Sequence, residues 1–237
     1  MEPKARAVCD MFARISPRYD LLNRLLSLGI DRSWRRSLAR ALEVDGAGAV
    51  LDVACGTGDV ALEIGRRVGP PTRVVGVDFC LSMLHLARRK AAPTGTGRLA
   101  LVCGDGLALP FADGRFDRVS IAFGIRNVAD LDRGLAELAR VTSPGGLLGI
   151  LEFSRPTCPP FRALYYLYFL HVLPLIGRLV SGDPEAYRYL PDSVLSFPER
   201  DDLARRLEAA GFSQVRHTDL TLGIVTLHVA RRSERVL

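Results

Sequence analysis

The chain has 237 residues, 48% of them hydrophobic, enough for one α/β domain with a sizeable core. Its formal charge of +6 comes mostly from arginines spaced along helical patterns such as "RSWRRSLARAL"; there are no long like-charge runs and no aromatics alternating with basic residues, so no nucleic-acid partner is expected. The five cysteines show no C-x-x-C spacing, which argues against a disulfide framework or a zinc site, and the charged N-terminus lacks the apolar region of a secretory signal, so a cytoplasmic protein is expected.

In chain order, an N-terminal helical segment is followed by short β-branched runs bounded by glycine, proline or acidic residues. Strands are expected near Ala49 to Ala54, Arg73 to Asp78, Leu99 to Cys103, Phe116 to Ala122 and Leu147 to Phe153. Between them, Val60 to Val68, Ser82 to Ala91 and Asp132 to Val141 carry apolar residues at helical spacing, and "TSPGG" reads as a stop after the last. After an insert, "FPERDDLARRLEAAGF" predicts a helix closed by Gly211, then strands over Gln214 to Asp219 and Gly223 to Ala230. The expected fold class is α/β: a doubly wound, mostly parallel seven-stranded sheet with N-terminal helices and a helical insert before the last helix.

The insert, "FRALYYLYFLHVLPLIGRLV", is the most apolar part of the chain. A membrane span needs about 20 largely apolar residues. Here His171, Pro174 and Gly177 interrupt the uncharged run, so a transmembrane helix is rejected. A core helix over the sheet, an apolar cover for a greasy substrate and a surface touching the bilayer all remain open.

The stretch "VLDVACGTGDV" places Gly56, Gly58 and Ala61 in G-x-G-x-x-A spacing between a strand and a helix, with Asp78 at the end of the next strand. That spacing alone satisfies a dinucleotide fingerprint. Electrostatics argue otherwise, because Asp59 lies in the first turn of the helix and Asp52 in the preceding strand, where two carboxylates would repel a pyrophosphate. They suit a ligand with an ammonium and a sulfonium, and S-adenosyl-L-methionine carries both. Asp78 can take ribose hydroxyls and Asp105, between Gly104 and Gly106, can meet the adenine amine.

Three further stretches carry a family resemblance: "RYDLLNRLLSLGIDRSWRR" at Arg18 to Arg36, "FGIRNVADLDRGLAELARVTSPGG" at Phe123 to Gly146, and "LEFSRP" with "FLHVLP" and "AYRYLPDSV". From about Phe12 to His228 the chain resembles the quinone-biosynthesis C-methyltransferases of the UbiE/MenG group, within the Rossmann-like class I S-adenosylmethionine-dependent methyltransferases. The resemblance implies methylation of a ring carbon of a polyprenylated quinol: demethylmenaquinol in menaquinone biosynthesis or, as the alternative, 2-methoxy-6-polyprenyl-1,4-benzoquinol in ubiquinone biosynthesis. It carries cofactor contacts onto Thr57, Asp78, Asp105 and Gly106, beside Asp52, Gly56 and Gly58 from the residue reading. The family's FG-x-RN stretch falls on Phe123, Gly124, Arg126 and Asn127, and Ala122 stands where some relatives have a serine that touches the cofactor. One methyltransferase domain is expected over 1–237, comprising an N-terminal helical lid (1–45), a cofactor-binding core (46–153), the apolar insert (154–198) and the last helix with two strands (199–232). Peripheral contact with the inner face of the membrane and a homodimer are compatible with this reading.

Ring C-methylation needs an electron-rich carbon ortho to a phenol-type oxygen whose proton is removed. Arg126 is a poor base, since its pKa is above about 12, so it is expected to orient the quinol and stabilise the developing oxyanion while water or a carboxylate takes the proton. Asn127 is expected to hold the same oxygen or the cofactor carboxylate; Glu152, His171 and Tyr19 are lower-ranked proton acceptors. The structural alternative for Arg126 is an ion pair with Asp130 or Asp132. Tyr19, Asn23, Trp34 and the Tyr165 to His171 stretch are left to close the site, although ordinary core packing is the first expectation for Trp34 and the tyrosines; His85, His217 and His228 show no ligand spacing.

Overall fold

A computed structural model describes residues 3–92, 99–172 and 184–234. Helices α1 (Pro3–Ile15), α2 (Tyr19–Leu26) and α3 (Asp31–Ala41) precede β1 (Ala49–Val53), α4 (Asp59–Gly65), β2 (Arg73–Asp78), α5 (Leu81–Ala91), β3 (Leu99–Cys103) and β4 (Phe116–Ala122). Then follow α6 (Leu131–Val141), β5 (Thr142–Phe153), α7 (Pro159–Leu167), α8 (Pro184–Ser196), α9 (Arg200–Ala209), β6 (Phe212–Leu220) and β7 (Val225–Arg232). A π-helical turn, Tyr168–Val172, extends α7. Pro174 and Gly177, expected to interrupt the insert, lie outside the described residues. Among the described residues no helix is long and apolar enough to cross a membrane.

The strands form one seven-stranded sheet in the order β3-β2-β1-β4-β5-β7-β6. The first five are parallel, and β7 runs antiparallel to both β5 and β6. Every residue of β1 is buried, Asp52 included, as a central parallel strand covered on both faces requires, and this explains why its apolar residues do not alternate with exposed ones. The chain order reverses between β1 and β4, so the loops leaving those two strands meet at the topological switch point, where α/β sheets open a crevice.

Two buried layers flank the sheet. On one face Leu135 and Leu138 of α6 pack with Leu203 and Leu207 of α9; on the other, Leu38 and Trp34 of α3 pack with Val60 and Ile64 of α4. Leu38, Ile64, Leu135 and Leu207 are each fully buried, a gain of about 1.5–3 kcal/mol per side chain. A third cluster joins Met11, Ile15 and Leu22 to Tyr165, Phe169 and Val194 above the crevice. The N-terminal 45 residues therefore divide: α1 and α2 meet the insert, while α3 belongs to the core of the sheet.

One boundary departs from expectation. "TSPGG" does not simply stop α6, because β5 begins within it at Thr142. Phe116 pairs with Thr142 and Arg118 with Leu147, so residues 143–146 form a bulge that keeps the strand paired while adding length. Proline and glycine signal the bend but do not show that pairing resumes across it.

Candidate active site

The loop between β1 and α4 turns sharply: Ala54, Gly56 and Gly58 all have positive φ, and Gly58 at +82° also packs where a Cβ would stand 3.1 Å from that of Ala87. Asp78, ending β2, holds this loop by accepting the Gly56 N–H at 2.8 Å through one oxygen, and through the other the Cys80 N–H at 2.8 Å. Burial pushes the Asp78 carboxyl above its usual range, and these backbone donors offset only part of that rise. A carboxylate has about four acceptor sites, so Asp78 retains capacity for a vicinal diol.

Asp52 carries different contacts from those expected of an ammonium partner. It is 1% exposed; one oxygen accepts the Ser120 hydroxyl at 2.7 Å and the other the Ala61 N–H at 3.1 Å. Desolvation lifts its pKa to about 7 against those two hydrogen bonds. Its visible task is to fasten the start of α4 to β1 and β4.

Thr57 and Asp59 lie in a charged latch that sequence reasoning missed. The Thr57 hydroxyl donates to Asp20 of α2 at 2.6 Å and accepts from Lys90 Nζ at 2.8 Å, while Lys90 reaches Asp59 at 2.6 Å. Arg35 of α3 lies 3.4 Å from Asp59 and also pairs with Asp31. Burial raises the Asp59 carboxyl, but the Arg35 and Lys90 charges outweigh it and hold the group below its ordinary value. Nothing local marks Lys90, which reads as one of three basic residues in the last turn of a helix.

Asp105 accepts the Leu107 N–H at 2.9 Å and, with Asp78, Gly106 and Asn127, lines a crevice of about 40 Å³ at the ends of β1, β2 and β3. The acceptor set suits an adenosyl group: the Asp78 and Asp105 carboxylates can accept from ribose hydroxyls and the adenine amine, and a glycine turn stands beside them.

The second half of the site follows β4. Phe123 has φ +56°, a left-handed conformation that non-glycine residues rarely adopt outside functional or tightly determined sites. Gly124 passes so close to the glycine loop that a Cβ would stand 2.6 Å from that of Ala54. In the short 3₁₀ turn Ile125–Asn127, Arg126 donates from Nη1 to Glu152 Oε1 at 2.8 Å and to the Phe123 carbonyl at 2.6 Å, and from Nε to Ser193 at 3.3 Å. The partner is Glu152, and neither Asp130 nor Asp132: Asp130 caps α6 through the Arg133 N–H, and Asp132 pairs with Arg206. Both side chains of the Arg126–Glu152 pair are nearly inaccessible, at 7% and 3%. Burial raises the Glu152 carboxyl, and the adjacent guanidinium counters that only in part. Asn127 accepts the Tyr189 hydroxyl at 3.0 Å.

Phe123 and Arg126 also face a much larger, apolar cavity of about 560 Å³, between α1, α2 and α7. Its walls include Trp34, Phe153 and Tyr165, with Arg126 5.5 Å from the centre of the Phe153 ring. Gly124 and Asn127 line the small crevice instead, so the Phe123–Asn127 stretch is a shared wall between the two spaces. Tyr19 and Asn23 line the large cavity, whereas His171 is exposed and outside its lining. His85 is exposed, His217 lies 3.0 Å from Asp201, and buried His228 contacts the Arg200 carbonyl.

The chain is 50% identical over 98% of its length to the "Ubiquinone/menaquinone biosynthesis C-methyltransferase UbiE" of Geobacter sp. (strain M21), covering 99% of that protein. It is 51% identical to the "Demethylmenaquinone methyltransferase" of Deinococcus radiodurans, over 96% of this chain and 93% of that one. Among solved structures, the [4+2]-cyclase SpnF shares the fold with a TM-score of 0.73 at 19% identity, covering 98% of this chain and 97% of that one. A SAM-dependent methyltransferase from Aquifex aeolicus has a TM-score of 0.56 at 20% identity, over 77% and 81% of the two chains. The model of the ubiE/COQ5 methyltransferase family matches residues 1–232, and this chain belongs to that family.

Proposed function

We propose that the chain transfers a methyl group from S-adenosyl-L-methionine to a ring carbon of a polyprenylated hydroquinone, with 2-demethylmenaquinol as the acceptor. The observation that carries this reading is the buried Arg126–Glu152 pair, set in the wall of an apolar cavity and one residue from Asn127, which faces the carboxylate-lined crevice. Bound in the crevice through Asp78 and Asp105, the methyl donor supplies an electrophilic carbon. The quinol hydroxyl gives its proton to water or a carboxylate, and Arg126 holds the resulting oxyanion as the neighbouring ring carbon becomes nucleophilic. The ring proton leaves by the same route once the new carbon–carbon bond has formed, and Glu152 fixes the guanidinium in position. The apolar walls exclude water and orient the ring toward the donor, which supplies much of the rate enhancement.

The cavity's size and lining favour a prenylated acceptor over a small soluble one. Leu25, Leu28 and Leu164 both line it and stand exposed, at 45%, 83% and 63%, which offers a tail an apolar exit toward a bilayer. The deciding experiment incubates the protein with S-adenosylmethionine and reduced demethylmenaquinone, or in parallel the methoxy-polyprenyl-benzoquinol, and looks for a mass gain of one methyl. The naphthoquinol is expected to be methylated; no methylated product from either quinol would overturn the proposal.

A further inference from the structure

Four tyrosines line the large cavity, and three of their hydroxyls have a partner. Tyr168 donates to the Leu26 carbonyl at 3.1 Å, Tyr189 to Asn127 at 3.0 Å, and Tyr19 hydrogen-bonds Asn23. Tyr165 differs. It is 7% exposed, its ring is stacked on Phe169 at 5.0 Å, and its hydroxyl is buried without a hydrogen-bond partner among the described residues. A phenylalanine would preserve the ring stacking and avoid the cost of an unsatisfied buried hydroxyl. A hydroxyl kept at such a place is explained by a ligand that completes it.

We propose that the Tyr165 hydroxyl binds the second oxygen of the acceptor ring, the one not held by Arg126. This rests on the quinol reading above and extends it, because a hydroquinone carries two oxygens on opposite sides of one ring. Tyr165 stands on α7 and Arg126 in the turn after β4, so two separate elements of the same cavity grip the two ends of the ring. Desolvation keeps the phenol protonated, with the nearby Arg126 charge countering it only weakly, so the hydroxyl is available as a donor. The pair defines a requirement for a para-dioxygenated ring and sets which ring edge faces the donor crevice. Tyr165 is thus a substrate-binding and orienting residue with no part in proton transfer.

The test compares wild type, Tyr165→Phe and the control Tyr168→Phe. Binding is read from the fluorescence of Trp34, the sole tryptophan, which lines the cavity and donates to Thr221 at 2.8 Å. The ligands are a short-chain prenylated naphthoquinone and the matching one-oxygen naphthol. Wild type is expected to prefer the dioxygenated ring by about tenfold, the worth of one buried hydrogen bond, and Tyr165→Phe to bind the two rings equally. In turnover, the quinol KM of Tyr165→Phe should rise by about the same factor while kcat changes by less than about twofold, the pattern of lost binding common to ground and transition states. Without ligand, Tyr165→Phe should melt no lower than wild type. A preference that survives in Tyr165→Phe, or no preference in wild type, overturns the proposal. The wild-type methylation assay separates this outcome from failure of the quinol reading, since Tyr165 can be acquitted while quinol is still methylated.

Discussion

Asp20 on α2 and Lys90 at the end of α5 meet at 2.6 Å, and the same ammonium bridges to Asp59 at the start of α4. One cation thereby ties the N-terminal cover to the glycine loop. Both side chains of the Asp20–Lys90 pair are part-exposed, at 32% and 27%, so each ion pair is worth no more than about 1 kcal/mol to global stability. Lys90→Met should therefore leave the melting temperature nearly unchanged while raising hydrogen exchange in α2 and speeding S-adenosylhomocysteine dissociation. Unchanged exchange in α2 would show that the apolar cluster alone holds the cover.

Arg126→Lys keeps a cation but loses the planar fork whose Nη1 serves Glu152 and Phe123 while Nε reaches Ser193. We expect kcat to fall by about 10²-fold, comparable to loss of one oxyanion donor, with S-adenosylhomocysteine affinity kept within threefold by calorimetry, roughly experimental scatter. Glu152→Gln should be destabilised, because removing one member of a buried pair leaves the other charge uncompensated, at a cost of about 3–5 kcal/mol. Denaturant melts report that cost directly.

The Asp52 carboxyl supplies a pH signature. Its folded pKa, about 7, is above the ordinary 3.8, so the folded state binds the proton more tightly and this contribution to stability is lost as pH rises from about 4 through 7. Asp52→Asn removes that slope. Its amide can still accept from Ala61 and meet Ser120, so stability above pH 7 should increase and S-adenosylhomocysteine affinity should stay within about threefold, less than one lost hydrogen bond. A drop in affinity beyond tenfold would return Asp52 to the role of ammonium partner.

Asp78→Asn tests the donor crevice. Losing the charge weakens hydrogen bonds worth about 1.5–3 kcal/mol each, so S-adenosylhomocysteine should bind roughly ten- to a hundredfold more weakly. Wild type should show no binding of NADH, whose pyrophosphate the neighbouring carboxylates repel. Calorimetry with both ligands decides the point.

Where structure is local, the sequence was sufficient. β2, β3 and β4 begin and end where expected, because β-branched and apolar runs bounded by turn residues mark a strand locally, even in β4, which carries Asp117, Arg118 and Ser120, and in β3, which lies at the sheet edge and is only partly buried. The Gly56–Gly58 turn was legible in the glycine spacing, whereas the meeting of Asp78, Asp105 and Asn127 around one crevice follows from a strand order that alternation alone does not fix. Less was legible in α8, which tolerates Pro191 inside it, and in β5, whose first residues pair across a bulge.

The amino-acid sequence by itself determined the sheet, the glycine turn after β1 and the family. Only the tertiary structure decided that Arg126 pairs with Glu152, that Lys90 latches Asp20 to Asp59, and that the Tyr165 hydroxyl is left without a partner among the described residues. Periodicity and turn chemistry act between neighbours and leave a trace at fixed spacing. A charge or hydroxyl instead finds its partner across elements that only the folded topology brings within hydrogen-bond distance, and no spacing rule records that meeting.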